Sequence, residues 1–269
     1  MNLDEILEDL KILIKKAGEE VLKYYDQEFE TEKKDDSPVT AADLASEKII
    51  LDGLKKYSGF GILSEENKED KSHIGKEMVF VTDPLDGTKD FIHKTGDFSI
   101  LLALLKNNQP IIGLIYKPLE KKLYFASKGK GAFIEIENKK EKIEASKVQD
   151  FLKIRILMSM FHLGETEKSL AEKYSWQYKR VGSAGLKLAA LAEGQAEVYI
   201  SSSSRTGEWD VAAGKIILEE AGGKITDING NELEFNKQTP FNTNGFVGSN
   251  KINHNQIIKA LKEAGNKNI

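Results

Sequence analysis

The stretch MVFVTDPLDGTKDFIHKTGD, Met78 to Asp97, reads as a short apolar strand running straight into a charged turn. Asp83 and Asp86 stand three residues apart, and Gly87 and Thr88 follow at once. Pro84 stiffens the turn, Gly87 lets the backbone approach a ligand closely, and Thr88 is placed to open a short helix through Phe91. Carboxylates hold hard divalent cations, and amides at a helix start hold an anion such as phosphate against them. The turn is expected to be a metal-and-phosphate site that the rest of the chain completes.

Two other readings compete. A strand followed by DxDGT marks phosphatases that use an aspartate nucleophile. Here two residues separate the acids and no GDxxxD motif follows, so a covalent aspartyl-phosphate is not expected. The bland reading is an acidic β-turn, which Asp-Gly and Pro often make. Other acids bear on the choice: Glu65 and Glu66 end a short strand, Asp210 stands where a loop enters a helix, and Asp43 lies in a second helix. Each has an ordinary role open to it. Asp210 suits a helix start, Glu65 and Glu66 a solvated pair, and Asp43 the carboxylate of a capping box with Thr40. The functional case rests on their occurring together.

Composition narrows the class. At 269 residues the chain can bury a large core as one large domain or two closely joined halves. With 40% hydrophobic and 30% charged residues it resembles an ordinary soluble protein. A net charge of -4 gives no general attraction to nucleic acid polymers or acidic membranes. The absence of cysteine removes disulfides, thiolate zinc sites, iron–sulfur clusters and cysteine nucleophiles. No apolar run is long enough to span a bilayer, and the N-terminus lacks a signal-peptide core, so a cytoplasmic location is the default expectation.

Along the chain, Leu3 to Tyr25 has the spacing of an amphipathic helix, and a charged stretch from Gln27 to Asp36 separates it from a second, Ala41 to Tyr57, with Thr40 placed as N-cap. Gly59 to Leu63 is a short strand, and Asn67 to Lys76 an exposed loop. Strand-like runs at Phe98–Lys106, Pro110–Tyr116, Lys122–Ala126 and Ala132–Glu137 suggest an antiparallel meander. Charged residues from Asn138 to Val148 place a boundary there, giving halves 1–148 and 149–269. The second half alternates: strands at Lys153–Met160, Tyr178–Val181 and Ala196–Ile200, then Lys224–Asp227 and Gly245–Val247, with helices at Glu165–Tyr174, Leu186–Ala192, Val211–Ala221 and Asn255–Ala264. This predicts a layered α/β fold.

Ser64-Glu65-Glu66, Asp83-Pro-Leu-Asp-Gly-Thr88 and Trp209-Asp-Val-Ala-Ala-Gly214, in that order, resemble the inositol monophosphatase superfamily of magnesium-dependent, lithium-sensitive phosphatases. Val39-Thr-Ala-Ala-Asp43 and Gly182-Ser-Ala-Gly185 extend the resemblance over nearly the whole chain. It implies the alternating αβαβα sandwich shared with fructose-1,6-bisphosphatase. It also implies two or three Mg²⁺ ions held by Glu65, Asp83, Asp86, Asp210 and the Leu85 carbonyl. Asp86 and the amides of Gly87 and Thr88 would bind phosphate, and Thr88 with Asp43 would orient or deprotonate the attacking water. His73, His93, His162 and His254 match none of the motifs and are read as surface or packing residues.

Within the superfamily the resemblance is greatest to 3′(2′),5′-bisphosphate nucleotidases. Thr88-Lys-Asp-Phe91 has their Lys-acid-aromatic run where inositol phosphatases usually have Thr-Asn-Phe. Gly182-Ser-Ala-Gly-Leu-Lys187 has their lysine, which makes Gly182, Ser183, Ala184 and Lys187 candidate substrate contacts, although Lys187 also suits a solvated helix position. The loop Ser201 to Gly207 lacks the acid that an inositol phosphatase carries before Trp-Asp. The implied substrate is a small nucleotide bisphosphate, adenosine 3′,5′-bisphosphate. Inositol or fructose phosphates, and a non-catalytic nucleotide- or protein-binding protein, stay open, as does a homodimer.

Overall fold

The structure is a computed structural model and describes residues 2–26, 32–34, 37–161 and 164–265. Helix α1, Leu3–Tyr25, is N-capped by Asn2 and buries the stripe Ile6, Leu10, Ile14, Ala17 and Val21. The short strands β1, Glu32–Lys34, and β2, Ser37–Val39, pair antiparallel within the stretch expected only as a charged linker. Helix α2, Ala41–Leu54, starts on a full capping box between Thr40 and Asp43. It ends one turn before the expected Tyr57, whose ring instead packs on Phe60 and Phe80 with centroids 5.7 and 5.2 Å away.

Strands β3, Gly61–Ser64, and β4, Met78–Asp86, run parallel, and the turn after β4 opens the short helix α3, Thr88–Ile92. Then comes the expected meander: β5, Ser99–Lys106; β6, Gln109–Lys117; β7, Lys122–Ser127; and β8, Gly131–Ile136. One more strand, β9, Lys139–Ile143, completes a seven-stranded sheet in sequential order β3 to β9. It lies in the stretch read as a boundary. Its charged residues Lys139 to Lys142 are exposed, as suits an edge strand that must discourage pairing with another chain.

The rest builds a second sheet. Strand β10, Arg155–Ser159, helix α4, Glu165–Tyr174, strand β11, Gln177–Val181, helix α5, Ala184–Ala192, and strand β12, Val198–Ser201, form its parallel part. Helix α6, Ala212–Glu220, strands β13, Lys224–Thr226, and β14, Phe246–Ser249, and helix α7, His254–Gly265, complete it. The strand order is β11-β10-β12-β14-β13, with β14 antiparallel to both neighbours.

Burial shows how the layers stack. On β5, Ile100, Leu102 and Leu104 pack under α1 and α2, while Leu101, Ala103 and Leu105 face α5 and α6. This two-residue period explains why the strand is apolar throughout, since both faces are covered. On β12, Tyr199 joins the α5/α6 side and Val198 and Ile200 join α4 and α7. The result is helix, sheet, helix, sheet, helix, as the resemblance implied. The central helices approach closely: a Cβ on Gly113 of β6 would collide with Ile216 and the Ala213 carbonyl of α6. No described helix is long and apolar enough to cross a membrane.

Candidate active site

The turn after β4 is built by local hydrogen bonds. The ladder to β5 slips between Asp83 and Asp86, and this irregularity sends both carboxylates to one place. Asp83 Oδ1 accepts from the Leu85 amide at 2.9 Å, and Ser46 Oγ of α2 donates to the Pro84 carbonyl at 2.7 Å. Gly87 takes φ 92° as it caps α3, and a Cβ there would press on the Asp97 carbonyl. The Thr88 hydroxyl lies 3.1 Å from the Leu85 carbonyl and 3.2 Å from Asp43 Oδ1. The other Asp43 oxygen accepts from the Thr40 amide at 2.8 Å. Asp43 therefore caps its helix and meets the turn with the same carboxylate.

Oxygens of Asp83, Asp86 and Asp210 all lie within 4.8 Å of one another. Asp210, from the loop before α6, is oriented by the Gly207 amide at 2.6 Å. Glu65 lines the same cleft, as does Glu66. Burial raises Asp83 well above the usual carboxylate range, and the charges of Glu65, Asp86 and Asp210 raise it further. Burial also raises Glu65, with Asp210, Glu66, Asp43 and Asp86 adding to it. Asp210 is pushed up to about 8, by burial first and then by Asp86. Asp43 rises to about 6, again by burial first, against the hydrogen bonds from Thr40. Oxygen-only donors that repel one another when ionised are the donor set of a hard divalent cation. The buried acids fit a metal site.

Asp86 has a second job. Its carboxylate accepts from the Ala184 amide at 3.0 Å, the Gly185 amide at 2.7 Å and the Ser183 hydroxyl, all at the start of α5. Ser99 Oγ lies 3.4 Å from the same carboxylate and 2.9 Å from Ser183 Oγ. Gly182 lies flat on Asp90, where any Cβ would run into the carboxylate. The Lys187 ammonium donates to the carbonyls of Val181, Gly182 and Ser183 at 3.1, 3.3 and 2.7 Å. Lys187 is buried, so the solvated reading does not hold. Ser183, Ala184 and Lys187 line the cleft.

The cleft has a volume of ≈ 820 Å³, and Lys68, Lys89 and Arg205 share it with the acids. One lining residue had no signal in sequence. Glu167 of α4, buried, accepts from the Ser202 amide at 2.9 Å, so the loop that lacks its own acid receives one from 35 residues upstream. The stretch expected as an exposed loop also differs, because His73 is buried within it, 2.6 Å from Asn236 Oδ1. His93 is exposed and packs on Phe161, His254 is buried, and His162 lies outside the described residues.

Comparison with known proteins places this geometry. The model of the inositol monophosphatase family matches residues 2–266. The chain is 34% identical over 251 residues to the 3′(2′),5′-bisphosphate nucleotidase CysQ of Aggregatibacter actinomycetemcomitans, covering 90% of this chain and 91% of that protein. It is 31% identical to an inositol-1-monophosphatase of Bacillus subtilis, covering 87% and 89%. The crystal structure of CysQ from Bacteroides thetaiotaomicron superposes with a TM-score of 0.78 at 32% identity, covering 91% of this chain and 97% of the other. With the acid cluster, the layered fold and these matches in agreement, the chain belongs to the inositol monophosphatase family of phosphatases.

Proposed function

We propose that the protein is a Mg²⁺-dependent nucleotidase that removes the 3′-phosphate of adenosine 3′,5′-bisphosphate to give AMP and phosphate. The observation that carries this reading is the shared cleft. Three acids within 4.8 Å of one another supply a metal site for the scissile phosphate, and Lys68, Lys89 and Arg205 line the same space. A second phosphate on the substrate is chemically matched to such cations. The greater identity to a bisphosphate nucleotidase supports the same reading.

In this reading Glu65, Asp83, Asp86, Asp210 and the Leu85 carbonyl would hold Mg²⁺, which when bound would supply positive charge and a lowered water pKa. The Gly87 and Thr88 amides hold phosphate oxygens. The Thr88 hydroxyl and Asp43 Oδ1, 3.2 Å apart, orient the attacking water. Asp43, with its pKa raised to about 6, accepts the proton near neutral pH. The water oxygen bonds to phosphorus, the bond to the ribose 3′ oxygen breaks, and that oxygen takes a proton from solvent to leave as the 3′-hydroxyl of AMP. Ser183 and Ala184 face the substrate, whereas Gly182, packed on Asp90, does not line the cleft.

A second reading has its own observation: Glu167 places a carboxylate by the loop where an inositol phosphatase needs one. Phosphate release from adenosine 3′,5′-bisphosphate, inositol 1-phosphate and fructose 1,6-bisphosphate, with Mg²⁺ and with EDTA, separates the readings. The expected result is a clear preference for the nucleotide and no release in EDTA. Preference for inositol 1-phosphate would transfer the assignment to inositol phosphatase, and inactivity on all three would point to a binding protein.

A further inference from the structure

Behind the cleft, Asn236 joins three segments that are far apart in sequence. It is buried and holds φ 59°, on the side of φ that residues with a side chain avoid. Asn236 Oδ1 lies 2.6 Å from His73 Nδ1, and Asn236 Nδ2 donates to Asn108 Oδ1 at 3.0 Å. With Nδ2 turned to Asn108, Oδ1 is the acceptor and His73 Nδ1 the donor. No described residue meets His73 Nε2, so among the described residues this bond is the ring's one polar tether.

The same residue grips the turn into α6. The successive amides of Asn236 and Lys237 converge on the buried Glu208 carboxylate at 2.6 and 3.1 Å, as backbone amides do around an anion. The Glu208 carbonyl accepts in turn from the Val211 and Ala212 amides, which fixes the turn that carries Asp210. At the other end, His73 belongs to the connection that follows Glu65 and Glu66. It folds that connection back on β3, where a Cβ on Gly61 would lie 2.6 Å from His73 Cα. Asn236 thus links the segment after Glu65 to the residue two before Asp210. None of His73, Glu208 and Asn236 lines the cleft.

We propose that Asn236 is a positioning residue that holds the Asp210 turn in register with the Glu65 segment, and so sets the spacing of the acids that take the metal. The proposal rests on the reading of those acids as a Mg²⁺ site. Glu65 and Asp83 come from the ends of β3 and β4, and Asp210 from the loop ahead of α6, so a cation held by all of them needs the two walls at a fixed separation. Mg²⁺ tolerates little error there, because it demands near-ideal octahedral geometry. Loosening the tether behind the walls therefore acts on metal affinity first. The contacts that hold the ester lie in the cleft and are left in place.

The test is calorimetric titration of Mg²⁺ into chelator-treated protein, for the wild type, D210N, N236G, H73F, H73N, E208Q and the N236G/E208Q double variant. Thermal melts set a temperature at which each is folded, and KM and kcat for the ester are read at saturating Mg²⁺. Glycine keeps the backbone shape at 236 and the amide bonds to Glu208, so N236G removes only the tether to His73 and Asn108. N236G and H73F are each expected to weaken Mg²⁺ binding roughly 2–30-fold, with KM and kcat recovered at saturating Mg²⁺. They act on the two sides of one bond, so either decides the outcome if the other fails to fold. H73N, whose amide can donate where His73 Nδ1 does, is expected to bind Mg²⁺ close to the wild type. E208Q, which turns a donor toward one of the two amides, is expected to weaken Mg²⁺ binding as well. The double variant is expected to lose less than the product of the two single losses. If the wild type binds Mg²⁺ and D210N is impaired, but N236G and H73F bind Mg²⁺ normally and only melt lower, the network is structural and the proposal fails alone. Multiplicative losses in the cycle would also overturn it. A wild type that binds no Mg²⁺, or a D210N that binds as tightly as the wild type, would overturn the metal reading and the proposal with it.

Discussion

At the scale of single residues, Asp43 and Asp86 each carry structural hydrogen bonds and, in the proposed reading, a chemical role as well. Asp43 holds the start of α2 through one oxygen and meets Thr88 with the other. Asp43→Asn is expected to lower turnover by about 10²–10⁴ through loss of the proton acceptor. Mg²⁺ binding should persist in it, and the weakened cap should cost about 1 kcal/mol in denaturant melts. Asp86→Asn should lose both Mg²⁺ binding and turnover. The Asn amide group would face the donors of Ser183, Ala184 and Gly185. A measurable loss of stability is expected, and normal Mg²⁺ binding in Asp86→Asn would refute the metal assignment.

At the scale of elements, the start of α7 is tied to the second sheet by one imidazole. His254 Nδ1 meets Ser249 Oγ of β14 at 2.7 Å, and Nε2 meets Thr226 Oγ1 of β13 at 2.9 Å. Burial lowers its pKa to about 4, with Lys224 adding to the effect and Glu232 opposing it. The folded pKa therefore lies below the unfolded one near 6.5. Stability from the neutral ring is present above pH 6.5 and is lost as pH falls toward 4. His254→Gln should be less stable at pH 7 but lose less between pH 6.5 and 4, as read by thermal melts across that range. Equal slopes for the two proteins would show that the imidazole does not titrate on unfolding. The same element scale explains β9, which period and charge marked as a boundary and edge pairing made a strand.

At the scale of the whole molecule, the clustered acids also strain the site, since Glu65, Asp86 and Asp210 each disfavour ionisation of Asp83. A divalent cation that binds only the folded chain should stabilise it by about 2.7 kcal/mol at a hundred times its Kd. For a protein of this size each 1 kcal/mol corresponds to roughly 2–4 °C in the thermal midpoint. A melt in Mg²⁺ that matches one in EDTA would count against the site.

The sequence by itself determined most of the elements and the acid motifs, though not β1, β2 or β9, because the periods of 3.6 and 2, the Thr40 cap and the Asp83–Asp86 spacing are local properties of the chain. Through a resemblance to a family it led to Glu65, Asp83, Asp86 and Asp210 as one expected set, of which Asp83, Asp86 and Asp210 lie within 4.8 Å of one another. Only the tertiary structure decided how Lys187 is used, that Asp86 anchors α5, and that Glu167 reaches the loop near Ser202. Those contacts join residues that are distant in sequence or lie on different layers, and no local period records which carbonyl, amide or hydroxyl a buried charge will meet when the layers close.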